Sequence, residues 1–149
     1  MPNLATNKKA LFDYQILEKF EGGLVLSGPE VKSAKGGQIN LKGSYVTIGG
    51  DNQASLIGAH ISSYKPAAAV QKDYDPDQTR KILLRKKEID YLRGKSREKG
   101  LTIMPISAYT KGSLVKLEIG LVRGKKQFDK RETIKKREVD REIRRQIKR

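Results

Sequence analysis

The chain contains one histidine, His60, the residue type that most often carries out acid–base catalysis, and it contains no cysteine. Acid–base and nucleophilic catalysis require such a group to have a positioned partner, and no catalytic motif surrounds His60. We therefore interpret His60 as a structural or RNA-facing residue. The absence of cysteine excludes disulfides and cysteine-ligated zinc. We predict no enzymatic activity, no cofactor and no metal site.

Lysine and arginine supply the strongest chemical signal. They number 32 against 17 acidic residues, which gives a net charge of +15. Such a surplus indicates a polyanionic partner, either nucleic acid or an anionic membrane. In the first 123 residues the basic side chains form five clusters: Lys8-Lys9; Lys32 with Lys35; Arg80-Lys81; Arg85-Lys86-Lys87; and Lys95, Arg97 and Lys99.

Aromatic residues near these clusters favour RNA as the polyanion. Tyr64, Tyr74 and Tyr91 are candidates for exposed rings that stack on unpaired bases. No recognition-helix motif for duplex DNA is visible. Residues 1–10 are polar, and no apolar run approaches the ~18 residues that span a bilayer. We expect a soluble, cytoplasmic protein without a membrane partner.

The elements that must position these residues are mostly short strands, because the apolar runs are short and bounded by glycine. Six strands are predicted in three pairs. Gly22-Gly23 and Gly49-Gly50 are interpreted as turns within the first two pairs. The predicted strands cover residues 14–17 and 24–26, 45–48 and 54–57, and 101–106 and 114–121.

Two helices are predicted between the strand pairs. Ser27-Gly28-Pro29-Glu30 is typical of a helix start, and Gly36-Gly37 indicates its end. Asp75-Pro76-Asp77-Gln78 predicts a second start with a capping box, followed by a helix through Ile82, Leu83, Ile89 and Leu92 to a C-cap at Gly94. This helix would carry the clusters at Arg80 and Arg85.

The pattern predicts a mainly β fold: a six-stranded antiparallel barrel resembling the oligonucleotide-binding (OB) fold, with two to three flanking helices. A β-sandwich is the alternative. We place this body at residues 1–123 and a basic tail at residues 124–149. The tail has 12 basic and 5 acidic residues, hence a net charge of +7. Its few aliphatic residues cannot form a core, so we expect it to be disordered or conditionally helical.

Several segments in the same order resemble the SsrA-binding protein (small protein B) family. The most specific are Glu30-Val31-Lys32-Ser33 and the run from Gly124 to Arg131, Gly-Lys-Lys-Gln-Phe-Asp-Lys-Arg. Further matches are Asn7-Lys8-Lys9-Ala10, Phe20 to Gly28, Ser44-Tyr45-Val46, His60-Ile61, Asp75-Pro76 and Arg80 to Leu84. The resemblance covers nearly the whole chain.

The resemblance implies an OB barrel that binds the tRNA-like domain of transfer-messenger RNA (tmRNA) and delivers it to stalled 70S ribosomes for trans-translation. It also implies elongation factor Tu with GTP in the delivery complex, and we expect a monomer. Asn7, Glu21 and Leu83 match positions associated with tmRNA binding. From charge and location we add Lys8, Lys9, Lys32 and Lys81 as RNA-binding candidates.

The resemblance further implies that the tail occupies the empty mRNA channel of the small ribosomal subunit. Asp129, Lys130 and Arg131 match the family's Asp-Lys-Arg motif. The other tail residues assigned to ribosome binding are Lys125, Lys126, Phe128, Ile134, Lys135 and Arg137. Four residues depart from those usual in the family: Phe128, Pro29, Tyr74 and Arg85.

Other functions are compatible with the composition alone. A generic OB-fold ribosomal or RNA-binding protein without tmRNA specificity is the first alternative. A DNA-binding architectural protein and an RNA-modifying enzyme built around His60 follow it. The order and spacing of the matching segments favour the tmRNA partner over all three.

Overall fold

A computed structural model describes residues 3–67 and 72–125. They form nine strands and three helices in chain order. No helix among these residues is long and apolar enough to span a membrane. The elements are β1 (Asn3–Thr6), α1 (Lys8–Asp13), β2 (Tyr14–Leu24), α2 (Gly28–Lys35), β3 (Ile39–Asn40), β4 (Tyr45–Ile48), β5 (Ala54–Ile57), β6 (His60–Ile61), β7 (Arg80–Leu83), α3 (Lys86–Ser96), β8 (Leu101–Lys111) and β9 (Leu114–Gly124).

Six antiparallel strands close into a ring in the order β8-β4-β5-β7-β2-β9, and β9 pairs back onto β8. This ring corresponds to the predicted six-stranded architecture. β1 adds to β8 outside the ring, and β3 pairs with β6 in a separate two-stranded sheet. Alternation along each strand places Leu56, Ile82, Leu117 and Ile119 in the core, where each is at most 1% exposed. On β7, the flanking residues Lys81 and Leu83 face outward and are exposed.

The predicted hairpins at residues 45–57 and 101–121 are confirmed as β4–β5 and β8–β9. The first helix is also confirmed. The Ser27 hydroxyl accepts from the Glu30 N–H at 3.3 Å, and the Glu30 carboxylate accepts from the Ser27 N–H at 3.1 Å. This reciprocal capping box starts α2 where the sequence indicates.

The prediction of a turn at Gly22-Gly23 is wrong, because residues 14–24 form one strand that pairs with β9 along nearly its whole length. Neither glycine has a positive φ. Gly22 is required for close packing: a Cβ there would lie 2.6 Å from Cγ2 of Ile82. These glycines therefore allow β7 to pack closely against β2, and they do not reverse the direction of the chain.

The second predicted helix start is also wrong. Asp75 caps a turn instead, its Oδ1 accepting from the Asp77 N–H at 2.9 Å. Residues 80–83 form strand β7 with alternating buried and exposed side chains, and α3 begins only at Lys86. Gly94 lies inside α3, which ends at a C-cap on Arg97. Tertiary pairing of β7 with β2 and β5 outweighs the local helix signal.

Candidate RNA interface

Glu21 lies on the outer face of β2 at the centre of a hydrogen-bonded cluster, here called the Glu21 cluster (Glu21, Tyr109 and Lys111). The Tyr109 hydroxyl on β8 donates to Glu21 Oε2, and Lys111 Nζ lies 3.4 Å from Oε1. The pKa of Glu21 lies below its ordinary value, chiefly because Tyr109 donates to the carboxylate and then because of Lys111. The carboxylate is therefore ionised, oriented and exposed. It can accept hydrogen bonds from a base or a 2′-hydroxyl.

Leu83 and Lys81 point outward from β7 beside the same part of β2. Leu83 is 58% exposed and pairs in register with Gly23, while the carbonyl of Lys81 accepts from the Val25 N–H at 3.0 Å. A Cβ on Gly23 would lie 3.7 Å from both Leu83 Cβ and Lys116 Nζ, so these side chains converge over this glycine. The structure thus brings Glu21, Leu83 and Lys81 together on one outer face.

Asn7 lies in the interior rather than on this surface, and it is 2% exposed. Its Oδ1 accepts from the Ala10 N–H at 3.2 Å, and its Nδ2 donates to the Pro105 carbonyl at 3.0 Å. Asn7 therefore caps α1 and ties it to β8. The exposed lysines Lys8 and Lys9 form the first turn of this helix, so Asn7 positions them.

Lys32 is exposed on α2, apart from the Glu21 cluster. Its Nζ lies 5.7 Å from the centroid of the Tyr64 ring. Both side chains line a surface cavity of about 500 Å³ between α2 and the segment after β6. A cation beside an aromatic face is suited to an RNA backbone and base, so the geometry at Lys32 is compatible with its predicted role.

Arg80 is 3% exposed and so cannot belong to the predicted basic surface. Its guanidinium lies 2.8 Å from Glu30 Oε2 and donates to the carbonyls of Ala59 and Pro76, each at 2.8 Å. Burial alone would raise the pKa of Glu30. Hydrogen bonds from the Ser27 N–H, from Gln78 and from Arg80, together with the Arg80 charge, outweigh burial and hold that pKa below its ordinary value.

Tyr74 belongs to the same network and is not a free stacking platform. Its hydroxyl lies 3.0 Å from Glu30 Oε2, 2.8 Å from the Ile61 carbonyl and 3.0 Å from Arg80 Nη2. Burial, followed by the hydrogen bond with Glu30, raises its pKa. The network of Glu30, Arg80 and Tyr74, here called the Glu30 network, connects α2 to β6 and β7.

His60 has a carboxylate partner that its sequence context does not reveal. Its Nδ1 lies 2.8 Å from Asp77 Oδ1, and both side chains are about half exposed or more. No group of three or more metal-ligating side chains occurs within residues 3–67 and 72–125. The pair lies at the surface of the β3–β6 sheet, where His60 is in register with Asn40.

Of the tail residues assigned to ribosome binding, only Lys125 lies within the described part of the chain. Its N–H donates to the Asp13 carbonyl at 2.8 Å, and its Nζ donates to the Leu11 carbonyl at 3.2 Å. The tail therefore starts beside α1. The other tail residues assigned to ribosome binding lie outside the described ranges: Lys126, Phe128, Asp129, Lys130, Arg131, Ile134, Lys135 and Arg137.

Tyr109 and Lys111 are the surface residues that sequence reasoning missed. Alternation along the sequence does not indicate them, because Ile103 and Pro105 face the core and a register shift between Pro105 and Ser107 then reverses the alternation, so that Ala108 faces the core and Tyr109 does not. The contact with Glu21 is not visible in the sequence. It joins residues 88 positions apart through the closed ring.

Comparison with known proteins identifies one family. A family model described as SmpB protein matches residues 4–149. The SsrA-binding protein of Oleidesulfovibrio alaskensis is 51% identical over 98% of this chain and 92% of its own length. That of Sulfurihydrogenibium sp. is 50% identical over 97% of this chain and 93% of its own length.

A solved structure has the same fold. It belongs to work described as "tmRNA-SmpB: a journey to the center of the bacterial ribosome". It aligns with a TM-score of 0.67 and 37% identity, covering 85% of this chain and 87% of the solved chain. The similarity therefore extends from sequence to the arrangement of the strands.

Proposed function

The chain belongs to the SmpB family, and on that premise we propose that it binds tmRNA and acts with it on ribosomes in trans-translation. The relatives are named for binding SsrA RNA, and the structural neighbour concerns tmRNA and SmpB on the bacterial ribosome. The observation that carries the proposal within this chain is the outer face formed by the Glu21 cluster with Leu83 and Lys81. It offers an oriented acceptor, an exposed apolar side chain and cations side by side.

The body, residues 1–123, binds the tRNA-like domain of tmRNA in this proposal. The folded RNA is recognised through its backbone and through unpaired bases. Lys8, Lys9, Lys32 and Lys81 neutralise phosphates, Leu83 contacts a sugar or base, and Glu21 accepts hydrogen bonds. Asn7 holds the helix that carries the first two lysines.

The tail, residues 124–149, occupies the empty mRNA channel of a stalled 70S ribosome in this proposal. Its basic residues neutralise ribosomal RNA, and mRNA in the channel excludes it sterically. Elongation factor Tu with GTP joins the delivery complex, and the protein works in the cytoplasm as a monomer.

A truncation separates the two parts. We expect deletion of residues 128–149 to leave tmRNA affinity within about threefold, because the outer face remains. Peptide tagging on ribosomes stalled on an mRNA without a stop codon should be abolished. Binding of labelled tmRNA and incorporation of the tag in a reconstituted translation system measure the two effects. A parallel loss of tmRNA affinity would contradict this division.

Competition distinguishes specific tmRNA binding from general RNA binding. Unlabelled tmRNA should displace labelled tmRNA at concentrations at least about 100-fold below those needed for bulk tRNA. A generic RNA-binding protein would be displaced equally by both, because phosphate contacts carry no sequence information. The tail truncation measured in parallel removes the contribution of nonspecific tail binding.

A further inference from the structure

A groove runs along α1 on the part of the body where the tail begins. Its larger part, about 450 Å³, is lined by Lys9, Asp13, Tyr14 and Tyr45, among others. An adjoining part of about 300 Å³ is lined by Lys8, Asn40 and Lys42. The two parts share Asn7 and Lys9, so we treat them as one feature, the α1 groove.

Three lysines of the α1 groove have no carboxylate partner in the described part of the chain. Lys8, Lys9 and Lys42 are exposed, and none forms an ion pair within the described residues. In contrast, Nζ of Lys95 lies 3.3 Å from Glu98, and that of Lys111 lies 3.4 Å from Glu21. The positive charge of the groove is therefore available to an anion.

Tyr45 supplies an aromatic face at the same place. It lies on the outer side of β4 and is 44% exposed, while its neighbour Val46 is buried in the core. The turn before it is held by Asn40, whose Oδ1 accepts from the Lys42 N–H at 2.9 Å. Lys42 and Tyr45 are thus presented from a fixed turn beside Lys8 and Lys9.

We infer that the α1 groove binds an unpaired nucleotide of tmRNA, with its base stacked on Tyr45 and the adjacent phosphates beside Lys8, Lys9 and Lys42. An exposed aromatic ring among unpaired cations is the arrangement that holds single-stranded nucleic acid. The protein's own tail is a poor occupant, because residues 124–149 carry a net charge of +7. This inference rests on the proposed binding of tmRNA to the body.

A tryptophan reporter tests the stacking directly, because the chain contains no tryptophan. In full-length Tyr45→Trp, binding of tmRNA should quench the only indole by at least about half. The matched control is Asp90→Trp, at an exposed position of α3 without a partner in the described residues. Its fluorescence should change by less than about a tenth on addition of the same tmRNA.

Affinity measurements complete the test. Tyr45→Ala should weaken tmRNA binding about tenfold, whereas Tyr45→Phe, which keeps the ring, should bind within about twofold of the parent. Lys42→Gln should weaken binding and reduce its salt dependence by about one counterion, as expected for one lost phosphate contact. Circular dichroism on each variant confirms that the body is folded.

The outcomes separate this inference from the proposed function. If the parent protein fails to bind tmRNA, the proposed function is wrong. If the parent binds but the indole fluorescence of Tyr45→Trp is unchanged and Tyr45→Ala binds normally, the groove assignment is overturned and the function stands. Quenching by ribosomes alone, without tmRNA, would overturn the assignment in favour of ribosomal RNA.

Discussion

Two glutamates of this protein have nearly the same partners and opposite environments. Glu30 is held by Tyr74 and Arg80 in the interior, and Glu21 is held by Tyr109 and Lys111 at the surface. In the Glu30 network the guanidinium uses all its donors on protein atoms, so nothing remains for a ligand. In the Glu21 cluster the cation is a lysine at 3.4 Å and the carboxylate is exposed, so an incoming RNA can share both.

The two triads of carboxylate, tyrosine and cation thus differ mainly in burial: the one at Glu30 is enclosed in the interior, and the one at Glu21 is exposed to a ligand. A buried carboxylate without its cation is costly, because its charge is left in a low-dielectric interior. An exposed one is solvated and contributes little to stability. Substitutions at the two sites should therefore separate protein stability from RNA affinity.

The largest effect is expected for Arg80→Met, which leaves the Glu30 carboxylate buried without its cation. The free energy of unfolding should fall by about 3–5 kcal/mol, measured by urea denaturation. The control is Lys81→Met, the next residue on β7, which is exposed and has no ion pair in the described body. It should change stability by less than about 0.5 kcal/mol while weakening tmRNA binding. Equal stability losses would contradict the contrast.

Glu21→Gln should have the next largest effect, on tmRNA affinity. Loss of a charged acceptor costs about 1.5–3 kcal/mol, a decrease in affinity of roughly 10- to 150-fold, with stability nearly unchanged. The sign of the change is decisive, because removing a negative charge near a polyanion raises affinity if no hydrogen bond is lost. Glu118→Gln, which is in register with Glu21 on the neighbouring strand, should show that small increase in a filter-binding assay.

Removing one hydroxyl from each site should produce smaller changes, of about 1 kcal/mol. Tyr74→Phe should lower the free energy of unfolding and leave the tmRNA affinity of the folded protein unchanged. Tyr109→Phe should lower tmRNA affinity and leave stability unchanged, because Glu21 stays solvated but loses its orientation. A stability loss in Tyr109→Phe as large as in Tyr74→Phe would show that both clusters are structural.

The Glu30 network should also make stability depend on pH. The pKa of Glu30 is lowered on folding, so at this residue the unfolded chain binds more protons than the folded chain. The ionised Glu30 carboxylate therefore contributes its full stabilisation of the fold above about pH 5. It is lost as the pH falls through the folded-state pKa, by at most about 1.4 kcal/mol per pH unit. The difference between parent and Glu30→Gln in urea denaturation at about pH 6, 5 and 4 should shrink accordingly. A constant difference would contradict this assignment.

The sequence predicts the number of ring strands correctly but assigns two of them wrongly. Two strands are predicted at residues 14–17 and 24–26, but a single strand, β2, spans residues 14–24, and β7 lies within a predicted helix. Local patterns cause both errors. Glycine pairs are typical of turns. Asp-Pro-Asp-Gln fits the pattern of a helix start, although Asp-Pro also favours a turn, which is what forms at Asp75. The packing of Ile82 against Gly22 is a tertiary contact, so it cannot be predicted from the local sequence pattern.

The predictions for the candidate site are also partly right and partly wrong. The exposed lysines are predicted correctly as surface residues from their charge. Leu83 is assigned to tmRNA binding by the family resemblance and is exposed on β7, although the sequence pattern places it in a helix. Arg80 and Tyr74 are predicted at the surface and are partners of Glu30 instead. Glu30 belongs to a capping box, and the sequence does not show that its second oxygen faces inward.

Closure of the ring also determines when the protein can fold during its own synthesis. β2 pairs with β9 along nearly its full length, although the two strands lie at opposite ends of the body in sequence. Its other neighbour, β7, pairs with only the last two residues of β2. Such non-local pairing slows folding, because loop closure precedes the favourable contacts. If translation stops before Leu114, β9 is missing and the edge of β2 that pairs with it is exposed. The ring of this protein can therefore close only after translation has continued through β9.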